Sequence, residues 1–417
     1  MTTSTDEISS RPAAAAHLTR VCFKLGPPRL IGAELEWFTR RVDLTDPSPR
    51  TRALTDDSPR PELTDLAVAL GPHAPQSIDP GSPATPLRSG SVVSVEPGGQ
   101  VELSSSPETD VASLRTALAS DEQQLRALLA TRGVEMVGGA ADGVRPPHRL
   151  LTTERYRAME ESFARRGQFG RLMMCNTAAV QVAFDAGSDV EKAVARWTLL
   201  HTIGPALIAA FANSPDLHGA TDQRWASQRM RAWLEIDRTR IPPPAQTVDD
   251  YTAWVLDIPL LCIRCADGTL WSPPAGTTLG DWMDGRLDER VGRRPTADDL
   301  DYHVSTVFPM VRPKGYLEVR YLDGQPDGLW GVPIAALAAL MSGDSVAEAA
   351  TEIAAPTADA WTRAARCGLD DTELRTAAHR LLTLAADATD TADERETLGT
   401  AAARCARGVM PGEEPTS

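Results

Sequence analysis

The sequence predicts an α+β protein: a sheet with one apolar and one carboxylate-lined face, helices packed against it, and a helical C-terminal region. Three short segments carry the sheet, Gly32-Ala-Glu34-Leu-Glu36-Trp37, Gln100-Val-Glu102-Leu103 and Tyr316-Leu-Glu318-Val-Arg320-Tyr321. Side chains alternate along a strand, so Glu34/Glu36, Gln100/Glu102 and Glu318/Arg320 project together, while Leu35, Trp37, Val101, Leu103, Leu317, Val319 and Tyr321 face a core. Amphipathic helical patterns between these segments, and an alanine-rich composition beyond about Val332, supply the helices.

In chain order, residues 1–20 read as a disordered leader and 21–331 as the sheet domain. Residues 332–410 read as a helical region packed on that domain, and 411–417 as a tail. Asp43 to Pro61 and Gly71 to Pro86 are crowded with Pro, Ser and Asp, which marks loops. Ser106 as N-cap with Pro107 at the first position starts a helix that buries Val111, Leu114, Leu118, Leu125 and Leu129 and stops at Gly133. Thr152 caps a second helix whose Tyr156, Met159 and Phe163 share a face, and strand character follows at Met173-Met174 and over Val180 to Phe184. A helix from Asp189 to Ala212 is kinked at Gly204-Pro205. C-terminal capping signals fall at or near Ser345, Thr357, Asp370 and Asp390.

At 417 residues and 42% hydrophobic, the chain can bury a large core. Its formal charge of -15 argues against nucleic acid or an anionic membrane surface, which reward basic patches. No run of 18 or more apolar residues exists, and the N-terminus lacks a signal-peptide core, so the expectation is a cytoplasmic protein with no membrane partner. The six cysteines do not form a disulfide framework. Cys262-Ile-Arg-Cys265 has no second pair to complete a zinc site, and Ile258 to Ile263 reads as a buried strand.

Several carboxylates on a covered face are costly unless a cation neutralises them, and hard oxygen donors from different strands suit Mg2+. The competing reading is an ordinary sheet with one wet face. Ser227-Gln-Arg229-Met-Arg231-Ala-Trp233 puts Arg229 beside Trp233 if helical, and Arg229, Arg231 and Trp233 together if extended. Either way a guanidinium fork lies near an aromatic, ready for a substrate carboxylate or for an ion pair with Glu235 or Asp237. Arg312 and Lys314 precede the Glu318 strand closely enough to meet phosphates, unless they form only a solvated turn. His303 reads as a ligand, a base or a structural histidine. The P-loop, the GxGxxG fingerprint, the GxSxG elbow and HExxH are all missing.

Seven segments occur in an order that resembles the plant-type glutamate-cysteine ligases. They are Gly32 to Glu36, Pro97-Gly-Gly-Gln100-Val-Glu102-Leu-Ser104, Gly170 to Met174, Thr177 to Asp185, Phe211-Ala-Asn213-Ser214-Pro215, Ser227 to Asp237, and His303 to Arg320. The alanine-rich, acidic character is most similar to the bacterial branch serving ergothioneine synthesis. The resemblance implies the curved, mostly antiparallel sheet funnel shared with glutamine synthetase. It implies ATP as co-substrate, Mg2+, and ligation of the L-glutamate side-chain carboxylate to the L-cysteine amine. Carried over, Glu34, Glu36, Glu102 and Glu318 surround the metal. Gln100, Arg229 and Trp233 serve substrate, and Arg312, Lys314 and Arg320 lie near phosphate. No catalytic proton acceptor is assigned. A ligase with another amine acceptor, or a non-catalytic ATP/Mg2+ sensor, are the rival readings. Pro313 and Gly315 around Lys314, and the proline-rich 43–86 segment, depart from the plant pattern, and no cysteine pair matches a redox switch.

Overall fold

The computed structural model describes residues 8, 10–26, 30–43, 54–55, 58–241, 247–265 and 269–413. Most of the expected leader up to residue 9, much of the 43–61 loop and the end of the 411–417 tail lie outside them.

The sheet has seven strands: β1 (Ile31–Arg41), β2 (Val92–Val95), β3 (Val101–Ser104), β4 (Val134–Val137), β5 (Ala179–Phe184) and, beyond a small ribbon of β6 (Ile263–Arg264) and β7 (Leu270–Trp271), β8 (Val311–Pro313) and β9 (Leu317–Asp323). The order is β2-β3-β1-β5-β9-β8, and every pairing is antiparallel. The longest strand, β1, lies at the centre; its first half pairs with β3 and β5, and its second half with β4. Alternation sorts the faces as expected: Leu35, Trp37, Val101, Leu103, Leu317, Val319 and Tyr321 are all buried in the core. Helices cover both faces, so the polar face encloses a hollow, as the funnel fold requires. From Gly331 onward the regular structure is helical, and the last two long helices are capped by Asp371 and Thr391.

Four local expectations are corrected. The segment Arg11–Cys22 is a helix, capped by Ser10 and burying Ala14, Leu18 and Cys22, so a disordered leader through residue 20 does not hold. The helix expected from Ser106 begins at Val111 with Asp110 as its cap, because Glu108 exchanges backbone hydrogen bonds with Ile31 and keeps the chain extended; Val111 is only half-buried. Met173 and Met174 lie in a helix, Phe169–Asn176, and not in a strand. Gly170 decides that packing: a Cβ there would fall 2.2 Å from Phe163 Cβ, so only glycine lets this helix lie against Glu154–Ala164. Ile258 to Ile263 is largely buried, but apart from an isolated antiparallel bridge of Pro259 to Thr278 the strand begins only at Ile263. The expected kink is present as a 43° bend between Val190–Thr202 and Gly204–Phe211. Among the described residues no single helix is long and apolar enough to cross a membrane.

Candidate active site

Strand register brings the carboxylates together. Glu36 sits opposite Glu102 on β3, and Glu102 opposite Ser94 on β2; Glu34 faces Gln181 on β5, and Glu318 lies between Ala183 and Arg312. Three of these side chains, those of Glu102, Glu36 and Glu318, are partly tied. The Ser94 hydroxyl donates to Glu102 Oε1 at 2.5 Å and Ser104 at 3.3 Å. The Ala179 amide donates to Glu36 Oε2 at 2.9 Å, with Gln181 Nε2 at 3.4 Å from its Oε1. Arg312 and Arg320 both reach Glu318 Oε2, at 2.7 and 3.2 Å.

The electrostatics divide the face. Burial, then neighbouring carboxylates, pushes Glu36 up to about 8 and raises Glu34 and Glu102. Glu96 behaves alike, pushed to about 8 by burial and then by Glu36. Burial also disfavours the Glu318 charge, yet Arg312 and Arg320 overcome it and hold this carboxyl below its ordinary value. The acids near β1–β3 are thus poorly neutralised, while the acid on β9 is neutralised by protein cations.

A cavity of about 170 Å³ opens on this face, and its lining combines the acids Glu36 and Glu96 and the amide of Gln100 with Arg155, Arg229 and Arg320. The helix Gln228–Ile236 settles the alternative for Arg229: its guanidinium lies 5.6 Å from the Trp233 ring, and Arg320 lies 5.0 Å from the same ring. Arg229 Nη2 donates to the Arg320 carbonyl at 2.8 Å, and Nη1 is 4.0 Å from Asp323, so a pair with Glu235 or Asp237 is not formed. Asp323 accepts from the Ser214 and Ser227 hydroxyls at 2.7 Å each, which fixes the capped start of that helix to β9. A larger cavity of about 450 Å³ reaches Glu34, Gln181 and Glu318 from the other end of the face. Gln181 belongs to both.

Two expected residues stand apart. Lys314 is exposed on the β8–β9 turn with its ammonium 5.9 Å from the Tyr316 ring, and lines neither cavity. His303 is structural: its Nε2 is 2.9 Å from the Val255 carbonyl, and burial lowers it to about 4. Sequence reasoning missed Glu96, Gln181, Arg155 and Asp323. Strand parity could have found Glu96, since Ser94 and Glu96 alternate with buried Val93 and Val95. The turn after it is held by Leu150 N–H to Pro97 at 2.7 Å and by Thr39 Oγ1 to Gly99 at 2.6 Å.

The donor set suits a hard divalent cation. Among the described residues no three His, Cys, Asp or Glu side chains already converge as a ligand group. The chemistry nevertheless fits: four raised carboxylates lie together, and Glu318 Oε1, Gln100 Oε1 and Gln181 Oε1 are buried without a partner.

This antiparallel sheet with its buried acid cluster belongs to a ligase family: residues 30–411 match glutamate-cysteine ligase family 2, and the chain belongs to that family. It is 37% identical over 391 residues to the glutamate-cysteine ligase EgtA of Mycolicibacterium smegmatis, covering 91% of this chain and 85% of that protein. A chloroplastic glutamate-cysteine ligase of Nicotiana tabacum is 30% identical over 245 residues, covering 56% of this chain and 46% of the plant protein. Among solved structures, a glutamate-cysteine ligase of Francisella tularensis in complex with AMP is 12% identical and covers 92% of this chain and 82% of its own, with a TM-score of 0.46.

Proposed function

We propose that this glutamate-cysteine ligase family member joins the γ-carboxylate of L-glutamate to the amine of L-cysteine at the expense of ATP, for ergothioneine synthesis. The observation that carries the site assignment is the pair of cavities meeting at one carboxylate stripe. The small one, lined by both acids and arginines, matches a zwitterionic amino acid. The large one has room for a nucleotide and reaches the stripe from the other end. The mycobacterial relatives named as glutamate-cysteine ligases, aligned over most of this chain, support the same reaction.

A carboxylate is a poor acyl donor because its leaving group would be oxide; phosphorylation by ATP gives an acyl phosphate whose leaving group is phosphate. The cysteine amine then forms the new C–N bond as the C–O bond to phosphate breaks. Glu34, Glu36, Glu102 and the free oxygen of Glu318 would hold Mg2+, with Glu96 as a further candidate. Mg2+ supplies charge screening between the triphosphate and the anionic glutamate. Arg229 takes the substrate carboxylate with its fork, and stacking on Trp233 limits the orientations it samples. Arg312 and Arg320 stand where charge builds on the transferred group. The small cavity, closed over by Trp233 and Phe308, keeps water from the activated carbonyl.

The test is ADP release with glutamate, ATP and Mg2+, comparing cysteine, other amines and no amine, with the product identified by mass. Cysteine-dependent γ-glutamylcysteine supports the proposal. ADP release with a different amine moves it to a ligase with another acceptor, and ATP binding without turnover overturns it.

A further inference from the structure

We infer that the end of the N-terminal helix, Lys24 to Gly26, is a wall of the nucleotide site, so that this segment binds ATP and is more than a leader to the sheet. The inference rests on the assignment of ATP to the larger cavity.

That cavity exists because two small residues meet on an otherwise crowded face. Gly32 and Ala183 are register partners on β1 and β5, and a Cβ on Gly32 would meet nothing nearer than Ser105 Oγ at 3.5 Å and Ala183 Cβ at 4.0 Å. The floor is therefore flat and open, with Glu34 and Glu318 beyond it. A flat apolar ring resting there, with its phosphates toward those carboxylates, matches the chemistry of a purine nucleotide. Tyr316 stands in the lining of this cavity on the β8–β9 side. Lys24, Leu25 and Gly26 line it as well. Leu25 is 39% exposed, an apolar side chain left in water at the cavity edge, and Lys24 adds an exposed cation next to it.

The segment is held, not draped. Cys22 is buried, and Phe23 packs edge-on against Trp197 and Tyr251 at 5.2 and 5.9 Å. The Gly315 amide donates to the Cys22 carbonyl at 2.9 Å, and the Gly26 amide to the Gly187 carbonyl at 3.1 Å. Gly315 has φ +78, a backbone conformation that favours glycine, and it sits within ordinary contact of the Val21 carbonyl oxygen and Lys24 Cβ. The wall is thereby tied to the turn between Arg312 and Glu318 on one side and to the end of β5 on the other. A nucleotide in the cavity would touch three elements locked to each other, which limits the ordering it must impose.

The experiment measures binding of ADP and of a β,γ-imido ATP analogue to the full chain with Mg2+ by calorimetry, together with the KM for glutamate, for Leu25→Glu, Lys24→Ala and Ala183→Leu. Leu25→Glu is expected to weaken nucleotide binding about tenfold by replacing an apolar contact with the ring by a charge that must stay hydrated, and Lys24→Ala about threefold. Both residues are exposed, so the thermal midpoint and the glutamate KM stay at wild-type values. Ala183→Leu fills the floor and weakens nucleotide binding too. If it does so while the Leu25 and Lys24 variants bind as wild type, the N-terminal wall is refuted and the cavity assignment stands. If Ala183→Leu binds nucleotide as wild type, the cavity assignment itself fails. A parallel loss of glutamate affinity in the Leu25 variant also refutes the inference, since it marks a general distortion.

Discussion

In the absence of divalent cation, Glu36→Gln is expected to make the protein more stable at alkaline pH while removing activity. Glu36 has its carboxyl pushed from an ordinary 4.5 up to about 8 by burial and then by Glu102. In the unfolded chain this group is ionised above about pH 5, whereas the folded protein keeps its proton until about pH 8. The folded state therefore binds more protons across that window. Its stability is fully present at low pH and falls as pH rises toward 8. Integrating the difference from about pH 6 to about pH 8 gives a loss of about 2 kcal/mol from this one group, with a ceiling of about 5 kcal/mol at higher pH. Glu96, also pushed to about 8 with Glu36 as one cause, titrates in the same window, so neutralising Glu36 eases both. Glutamine is nearly isosteric. Its oxygen can still accept from the Ala179 amide, and its new NH2 can donate to Gln181 Oε1, which is buried without a partner. The assay is urea unfolding followed by tryptophan fluorescence in chelator at about pH 6, 7 and 8.5. The wild-type midpoint should fall with pH, the variant should fall less, and Mg2+ should recover wild type more than the variant. Two parallel pH curves, or a wild-type curve flat over this range, would refute the electrostatic account of the cluster.

Other substitutions separate the remaining roles. Glu102→Gln can keep its bonds from Ser94 and Ser104 and should stay folded, yet turnover should fall at least about a hundredfold; unchanged turnover removes Glu102 from the metal-binding set. Arg229→Lys replaces a bidentate fork by a point charge and should raise the glutamate KM about tenfold with the ATP KM unchanged, a split that steady-state kinetics reads directly. Gly98→Ala would place a Cβ 2.3 Å from the Cys175 carbonyl oxygen, so the Glu96–Gln100 turn must shift. A cost of about 2 kcal/mol and a loss of activity are expected, and a variant with wild-type melting and turnover would show that this close approach is not required.

The parts of the site visible in the sequence were those written by strand parity, a local rule. Glu34, Glu36, Glu102 and Glu318 share a face because two-residue alternation holds along β1, β3 and β9. Parity says nothing about what crosses the face or which strands pair, so Arg155 stayed hidden until the helices were in place, and Gln181, readable by alternation, joined Glu34 only through the β1–β5 register. Arg229 and Trp233 fit both periods, and only tertiary packing chose the helix. At Met173-Met174 the apolar run was ambiguous, and the close approach of Gly170 to Phe163 selected the helix instead. In the N-terminal segment Ala14, Leu18 and Cys22 recur every four residues behind a Ser10 cap, a helix pattern outweighed by the polar start of the chain.

Charge balance is the property that parity cannot supply, and it changes how the acids divide the work. The family resemblance implies that Arg312, Lys314 and Arg320 all lie near phosphate, and that Glu318 serves metal like the other acids. The two arginines instead converge on one oxygen of Glu318, leaving the other free, while Lys314 turns outward. An acid already shared by two guanidiniums gains least from a further cation, whereas Glu34, Glu36, Glu96 and Glu102 are all raised by burial and by one another's charge. A divalent ion is therefore worth most on the β1–β3 side, and the β8–β9 side is where an anion is worth most. On the proposed assignment this charge polarity would orient ATP and glutamate toward each other across the stripe, so Glu318→Gln is expected to cost the arginines their placement and raise the ATP KM, where Glu102→Gln mainly lowers turnover, a split that steady-state kinetics reads.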